Sequence, residues 1–203
     1  MFAFTGRSKG LTAVEGQRIY LREPSLADYQ EWASLRLESR AFLEPWEPRW
    51  SEQDLSRTAY RARLRRYRAE IDAGSAYPYF ICHHTDDVIL GGITIGNIRR
   101  GVAQSGQLGY WIGKRFAGEG YMREAVATVC SSAFSKQGLH RLEAACLPEN
   151  ERSMSVLQAN GFDQEGVLRS YLKINGAWRD HILFARINPV HTGHDAMTFE
   201  SRF

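Results

Sequence analysis

Trp111-Ile112-Gly113-Lys114-Arg115-Phe116-Ala117-Gly118-Glu119-Gly120-Tyr121-Met122-Arg123 reads as a short apolar strand that passes through a glycine-bearing turn straight into a helix. Such a turn is an anion-binding device. The first N–H groups of the helix have no carbonyl partners within it, and the helix dipole favours negative charge at that end. Two glycines let a ligand approach the backbone without interference from a Cβ. The expected guest is a phosphate or pyrophosphate.

Spacing removes two familiar phosphate-binding loops. A P-loop needs Gly-x-x-x-x-Gly-Lys-Ser/Thr, but Leu108 stands where the first glycine belongs and Arg115 where the hydroxyl belongs. A dinucleotide fingerprint needs Gly-x-Gly-x-x-Gly, and Gly118-x-Gly120 is followed by Arg123. What remains, Arg115-x-x-Gly118-x-Gly120, resembles the pyrophosphate-binding signature of the GNAT superfamily of acetyl-coenzyme A-dependent N-acetyltransferases. An ordinary strand-to-helix turn is the alternative.

With 203 residues, 43% hydrophobic and 24% charged, the chain has the size and composition of one globular domain. No apolar run approaches the roughly 18 residues of a membrane span, and the first residues lack the pattern of a secretory leader, so a cytoplasmic location is expected. Cys82, Cys130 and Cys146 are odd in number and far apart, which supports neither a disulfide framework nor a zinc site. Cys82-His83-His84 point to alternating faces of an extended segment, so no metal is expected there. A net charge of +3 permits an anionic cosubstrate or an RNA-associated partner without demanding either.

Periodicity orders the elements. Residues 17–22 form a strand stopped by Pro24, and Ser25 caps a helix to about residue 40. Pro45-Trp46-Glu47-Pro48 breaks the chain, and a helix over 51–73 follows, with Tyr60, Leu64, Tyr67 and Ile71 on one stripe. Residues 79–83 and 88–98 read as a hairpin around Asp86-Asp87, and 107–112 as the strand before the glycine turn. A buried helix over 119–136, a strand over 141–146 and a helix over 150–160 ended by Gly161 come next. Strands over 166–174 and 177–187 are joined by Asn175-Gly176, a strong hairpin signal. The fold class is α+β: a mixed sheet, mostly antiparallel, with one parallel strand pair flanking the glycine-turn helix. The domain spans 17–188, between an N-terminal extension, 1–16, and a tail, 189–203.

Residues 148–162, Pro-Glu-Asn-Glu-Arg-Ser-Met-Ser-Val-Leu-Gln-Ala-Asn-Gly-Phe, resemble a second GNAT signature, Asn-x-x-Ser/Ala followed at fixed distance by Gly-Phe. In that family it lies beside the pantetheine arm. Within the superfamily the chain resembles the bacterial ribosomal-protein alanine N-acetyltransferases, the Rim type. The resemblance rests on Phe42-Leu43-Glu44-Pro45-Trp46-Glu47-Pro48, on Asn97-Ile98-Arg99-Arg100-Gly101 with Leu108-Gly109-Tyr110, and on Asn175-Gly176-x-Trp178-Arg179-Asp180-His181. It implies acetyl-CoA as cosubstrate and no metal. It also implies a cofactor site at Tyr110, Trp111, Ile112, Arg115, Phe116, Ala117, Gly118, Glu119, Gly120, Tyr121, Asn150 and Ser153, and an acceptor side at Glu44, Trp46, Glu47 and Tyr110.

Transfer of an acetyl group needs few side chains. A neutral amine attacks the thioester carbonyl, an oxyanion forms and a thiolate leaves. N–H groups freed where strand 108–112 splays from strand 141–146 can stabilise the oxyanion. Proximity of two bound substrates supplies up to about 7–11 kcal/mol. Glu47 is the first candidate for the general base and Glu44 the second, because both sit in the Pro-stiffened loop; solvating a turn is the alternative for each. Many superfamily members protonate the thiolate with a tyrosine, but Leu157 occupies that position here. Ser153, one turn earlier, becomes the candidate acid, with helix capping as its alternative. Leu172 stands where one relative carries a glutamate base. Arg57, Arg61, Arg65 and Arg68, with Arg63 and Arg66 nearby, suit either docking to ribosomal RNA or a solvated helix face. Trp46, Trp50, Trp111 and Trp178 are candidates for the acceptor groove, although Trp111 and Trp178 suit the core. Three functions fit: acetylation of a protein N terminus, with the ribosome a possible partner; acetylation of a small amine such as a polyamine, amino acid or antibiotic; and a weakly catalytic acetyl-CoA-binding module. An acidic groove favours a cationic small amine; an open one favours a peptide.

Overall fold

Side-chain alternation along one sheet of eight strands separates two hydrophobic layers, and the site lies where that sheet splits. The computed structural model describes residues 11–191; the rest of the expected extension and tail lies outside the described residues. The strands are β1 (Val14–Glu15), β2 (Ile19–Arg22), β3 (Tyr77–His83), β4 (Ile89–Arg99), β5 (Ser105–Ile112), β6 (Arg141–Cys146), β7 (Asp163–Ile174) and β8 (Ala177–Ile187). The helices are α1 (Tyr29–Glu38), α2 (Arg40–Leu43), α3 (Arg57–Asp72), α4 (Tyr121–Ser135) and α5 (Glu151–Gln158). Strand order is β1-β2-β3-β4-β5-β6-β8-β7. Neighbours are antiparallel except β5 and β6, the parallel pair expected on either side of α4. Val14–Glu15 pairs with β2, so the sheet begins three residues before the expected domain start at 17.

On one face, Ile81, Ile93, Ile95, Leu142 and Phe184 pack with Val126, Val129 and Cys130 of α4. On the other, Phe80, Cys82 and Ile89 pack with Trp32 and Leu35 of α1 and Tyr60 of α3. Residues one apart on β3 thus serve opposite layers, as a period of two requires. The four-residue apolar spacing of α4 gives it an almost wholly buried stripe, which makes it the central helix of the first layer.

Several boundaries differ from the sequence reading. Residues 25–40 do not form one helix: Ser25 N–H donates to Asp28 Oδ2 at 2.6 Å, and that local bond holds a 3-10 turn before α1 begins. Asp28 in turn accepts from Arg22 at 2.8 Å, tying the turn to β2. The expected helix at 51–73 starts only at Arg57. The Asp54 side chain closes a separate turn on Ser51, and Ser56 supplies the cap by accepting from Ala59 N–H at 3.2 Å. Trp178, expected in the core, is 64% exposed at the β7–β8 hairpin tip.

Candidate active site

Parallel pairing between β5 and β6 lasts for three residues, from Ser105 opposite Arg141 to Gln107 opposite Glu143. Beyond it, β5 stays with β4 to Ile112 and β6 stays with β8 to Cys146. The two central strands therefore part, and the backbone groups of 108–112 that face away from β4 lack a strand partner. A cavity of about 960 Å³ fills the opening, with residues of β5, the glycine turn, β6 and α5 around it.

Gly118 and Gly120 have φ of +90° and +81°, the left-handed region that only glycine enters freely. A Cβ at Gly118 would meet nothing within 4 Å, so the turn presents bare backbone to the cavity mouth. Gly120 is the N-cap of α4, and the uncapped N–H groups of the first turn open there. Arg18 holds the turn from behind: its guanidinium donates to the Glu119 carbonyl at 3.2 Å and to Glu124 at 2.9 Å. Glu124 also accepts from the N–H groups of Gln17, Arg18 and Ile19, fastening α4 to β2.

Inside the cavity, the hydroxyls of Tyr110 on β5 and Ser153 on α5 lie 2.9 Å apart. Asn150 caps α5 by accepting from the Ser153 N–H at 3.1 Å, which leaves the Ser153 hydroxyl outside the cap. Burial pushes the Tyr110 phenol up, so it remains a proton donor at neutral pH. Burial likewise raises Cys146, which lines the same cavity and stays a thiol.

The loop after α2 forms the opposite wall. Both Glu47 carboxylate oxygens take hydrogen bonds from Arg36, at 2.7 and 2.6 Å, and Trp50 Nε1 adds a third at 2.8 Å. The Arg36 guanidinium lies between the Trp50 and Trp111 rings, 4.2 and 4.8 Å from their centroids. Gly92 makes room for this stack, since a Cβ there would sit 2.5 Å from Trp111 Nε1. The Glu47 carbonyl accepts from the Asn175 N–H at 3.0 Å, joining the loop to the β7–β8 hairpin. A second cavity, about 410 Å³, lies under α1 and α3 and shares Glu47, Gly109, Tyr110 and Trp111 with the first. Its charged lining is Arg36, Arg49 and Arg63 against Glu47 and Asp54.

Residues 18–163 match the acetyltransferase (GNAT) domain profile. The chain belongs to the GNAT acetyltransferase family. The GNAT chain is 35% identical over 176 residues to "Probable N-acetyltransferase YjcK" of Bacillus subtilis, covering 87% of this chain and 97% of that protein. It is 35% identical over 164 residues to the [ribosomal protein uS5]-alanine N-acetyltransferase of Escherichia coli, covering 81% of each. Among solved structures, Mycobacterium smegmatis RimJ in complex with CoA-disulfide superposes with a TM-score of 0.84 at 33% identity, covering 89% of this chain and 90% of that one. The ribosomal-protein-S5-alanine acetyltransferase of Vibrio fischeri superposes at 0.81 with 33% identity, covering 88% and 97%. The protein is an acetyl-CoA-dependent N-acetyltransferase of the Rim-like GNAT type. Among the described residues no cluster of metal-ligating side chains occurs and no helix is long and apolar enough to cross a membrane.

Most residues named from the GNAT signatures line the larger cavity: Tyr110, Trp111, Ile112, Phe116, Ala117, Gly118, Gly120, Tyr121, Asn150 and Ser153, with Trp46 and Glu47 on the acceptor side. Arg115, Glu119 and Glu44 do not. Arg115 turns to Glu38 at 3.5 Å, Glu119 contributes its carbonyl to Arg18, and Glu44 pairs with Arg40 one turn back at 2.8 Å. The cations that do line the cavity, Lys114, Arg123 and Arg152, were not singled out by sequence, because no spacing rule separates them from other surface cations. His181 was quoted only as part of a hairpin motif, yet it is buried at the cavity wall. The arginines of α3 do not form one free stripe: Arg63 enters the smaller cavity, Arg66 pairs with Glu70 and Arg68 with Glu23 and Asp72.

Proposed function

We propose that the protein acetylates the N-terminal amine of a protein, an alanine of a ribosomal protein, by direct attack in a ternary complex. The observation that carries this reading is the smaller cavity, whose charged lining sets three guanidiniums against two carboxylates beside several aromatic rings. A polycationic amine finds no acidic groove there, which favours a peptide with its amine at the shared wall. The relatives named for ribosomal-protein alanine acetylation support the acceptor. A cytoplasmic location goes with that acceptor.

The residues divide the work. Amides of 115–121 receive the pyrophosphate, with Lys114 and Arg123 as the nearby cations. The unpaired backbone of 108–112 takes the pantetheine arm and the oxyanion. Ser153, hydrogen-bonded to Tyr110, protonates the departing thiolate. Burial raises the Cys146 thiol, which disfavours a thiolate nucleophile and so favours direct attack over an acetyl-enzyme. Glu47, expected from sequence as the base, has both oxygens committed to Arg36 and Trp50 and serves instead to fix the acceptor wall. The test follows free-thiol release from acetyl-CoA with alanyl peptides, other N-terminal peptides, polyamines and amino acids. Alanyl peptides turning over fastest is the expected result; a polyamine exceeding them would refute the acceptor assignment.

A further inference from the structure

One ionisable side chain at the cavity wall has no part in the chemistry so far. His181 on β8 is only 2% exposed, yet it lines the larger cavity. Its Nδ1 lies 3.0 Å from the Arg179 carbonyl oxygen. A carbonyl can only accept, so Nδ1 carries the hydrogen, and in the neutral imidazole Nε2 holds the lone pair. Among the described residues Nε2 has no hydrogen-bond partner, and the side-chain polar atom sealed in protein without one is Arg36 Nε. Nε2 therefore opens onto the cavity.

Strand register places this lone pair on the acceptor side. Ile182 and Phe184 pack into the layer of α4, so alternation turns His181 towards the opposite face, that of α1 and α3. Leu172, opposite Arg179 on the neighbouring strand, shares that face and the cavity. Tyr110 packs with the α4 layer beside Ser153. Cys146 of β6 is opposite Ile182, so His181 stands just past the end of the strand that parts from β5. A carbonyl held in that opening has the Ser153–Tyr110 hydroxyls on one face of the sheet and an imidazole lone pair on the other.

We propose that His181 is the general base that takes a proton from the incoming amine. The inference rests on the reading above only in that the acceptor arrives from the face of α1 and α3. The ammonium loses its first proton to Nε2, which passes it to water. The freed lone pair forms the C–N bond as the carbonyl π electrons move onto oxygen, and collapse of that oxyanion re-forms the C=O bond and breaks the C–S bond. The nitrogen then gives up a second proton, which replaces the one that Ser153 hands to the sulfur. The titratable and charged neighbours already have partners of their own or are raised by burial. Tyr171 offers its ring to the imidazole, Arg179 pairs with Glu149, Glu47 is tied to Arg36, and burial raises both Tyr110 and Cys146.

The experiment compares kcat/KM against pH for the wild type, His181→Gln, His181→Asn and His181→Ala, with an alanyl peptide and with a small amine. The thermal shift by CoA reports that each variant is folded. At pH 7 the rate should fall about 10²-fold. The deficit should shrink as pH passes the amine pKa of about 7.7–8.0. Added imidazole should restore part of the His181→Ala rate. His181→Asn keeps an N–H for the Arg179 carbonyl where the other replacements prove unstable. Carbethoxylation of wild-type His181 by diethylpyrocarbonate, blocked by acetyl-CoA, should inactivate independently of any variant. A loss equal at every pH without imidazole rescue, or full activity after His181 is modified, would overturn the proposal. Failure of the peptide alone, with the small amine still showing the His181 effect, would instead fault the acceptor reading.

Discussion

In the proposed mechanism, Tyr110 is what makes the single hydroxyl of Ser153 useful as an acid. Ser153 alone is a weak donor, but a second hydroxyl at 2.9 Å can follow its proton as negative charge leaves the sulfur. Ser153→Ala should lower kcat by about 10²-fold with little change in the KM for acetyl-CoA, and Tyr110→Phe by about tenfold, both read from steady-state kinetics. Glu47 behaves differently. Glu47→Gln breaks the two-pronged bond to Arg36, so the acceptor KM should rise while the pH profile of kcat keeps its shape; a lost acid limb would return the base to Glu47. Ser153 was legible from its place after Asn150 in the second signature. Tyr110 was named from the same resemblance, but its pairing with Ser153 was not legible, since the two are 43 residues apart and nothing local marks the pair. The prolines around Glu47 were legible as a reason to expect a stiff loop, but the placing of the Arg36 guanidinium against two indoles is a tertiary arrangement that residue types alone do not specify.

At the scale of elements, α4 carries the glycine turn and is itself anchored by one carboxylate. Burial alone would raise the Glu124 carboxyl, but hydrogen bonds from Arg18 and from the backbone of β2 and its approach hold it below the usual 4.5. A group depressed on folding stabilises fully above its unfolded pKa. That contribution should fade as pH drops below about 4.5, and urea melts across pH 3–7 should show it. Glu124→Ala should cost roughly 1.5–3 kcal/mol at pH 7, the scale of hydrogen bonds to a charged group, and should remove this acid dependence. Gly118→Asp and Gly120→Asp should abolish the thermal shift by CoA, because each puts a negative side chain where the pyrophosphate is proposed to bind. Unchanged shifts in both would refute the anion site. Elements with strong periodicity, such as α4, or with an unambiguous turn, such as Asn175-Gly176, were legible in sequence. The starts of α1 and α3 were not, because Ser25–Asp28 and Ser51–Asp54 side-chain bonds compete locally with helix formation.

Across the whole molecule, the proposed ternary complex brings cosubstrate and acceptor to the split in the sheet from opposite faces, and charge would separate the acceptors. Arg63 reaches the smaller cavity from α3 above β3, whereas Tyr110 is on β5, an offset across the sheet of two strand spacings or roughly 10 Å. An extended peptide with its amine at Tyr110 covers that span in about three residues. A carboxylate near the third position would therefore meet Arg63 and Arg49, while a lysine there would meet like charge. Among alanyl peptides differing only at positions two to four, acidic ones should exceed basic ones about tenfold in kcat/KM at low salt. The gap should narrow as added salt shortens the Debye length from about 30 Å at 0.01 M to about 8 Å at 0.15 M. Arg63→Gln should close most of it, chiefly through KM, because that guanidinium binds the peptide without touching the reacting atoms. Equal rates for acidic and basic peptides in the wild type would show that the acceptor follows another path across the sheet, and a preference for basic ones would reverse the assigned polarity of the groove.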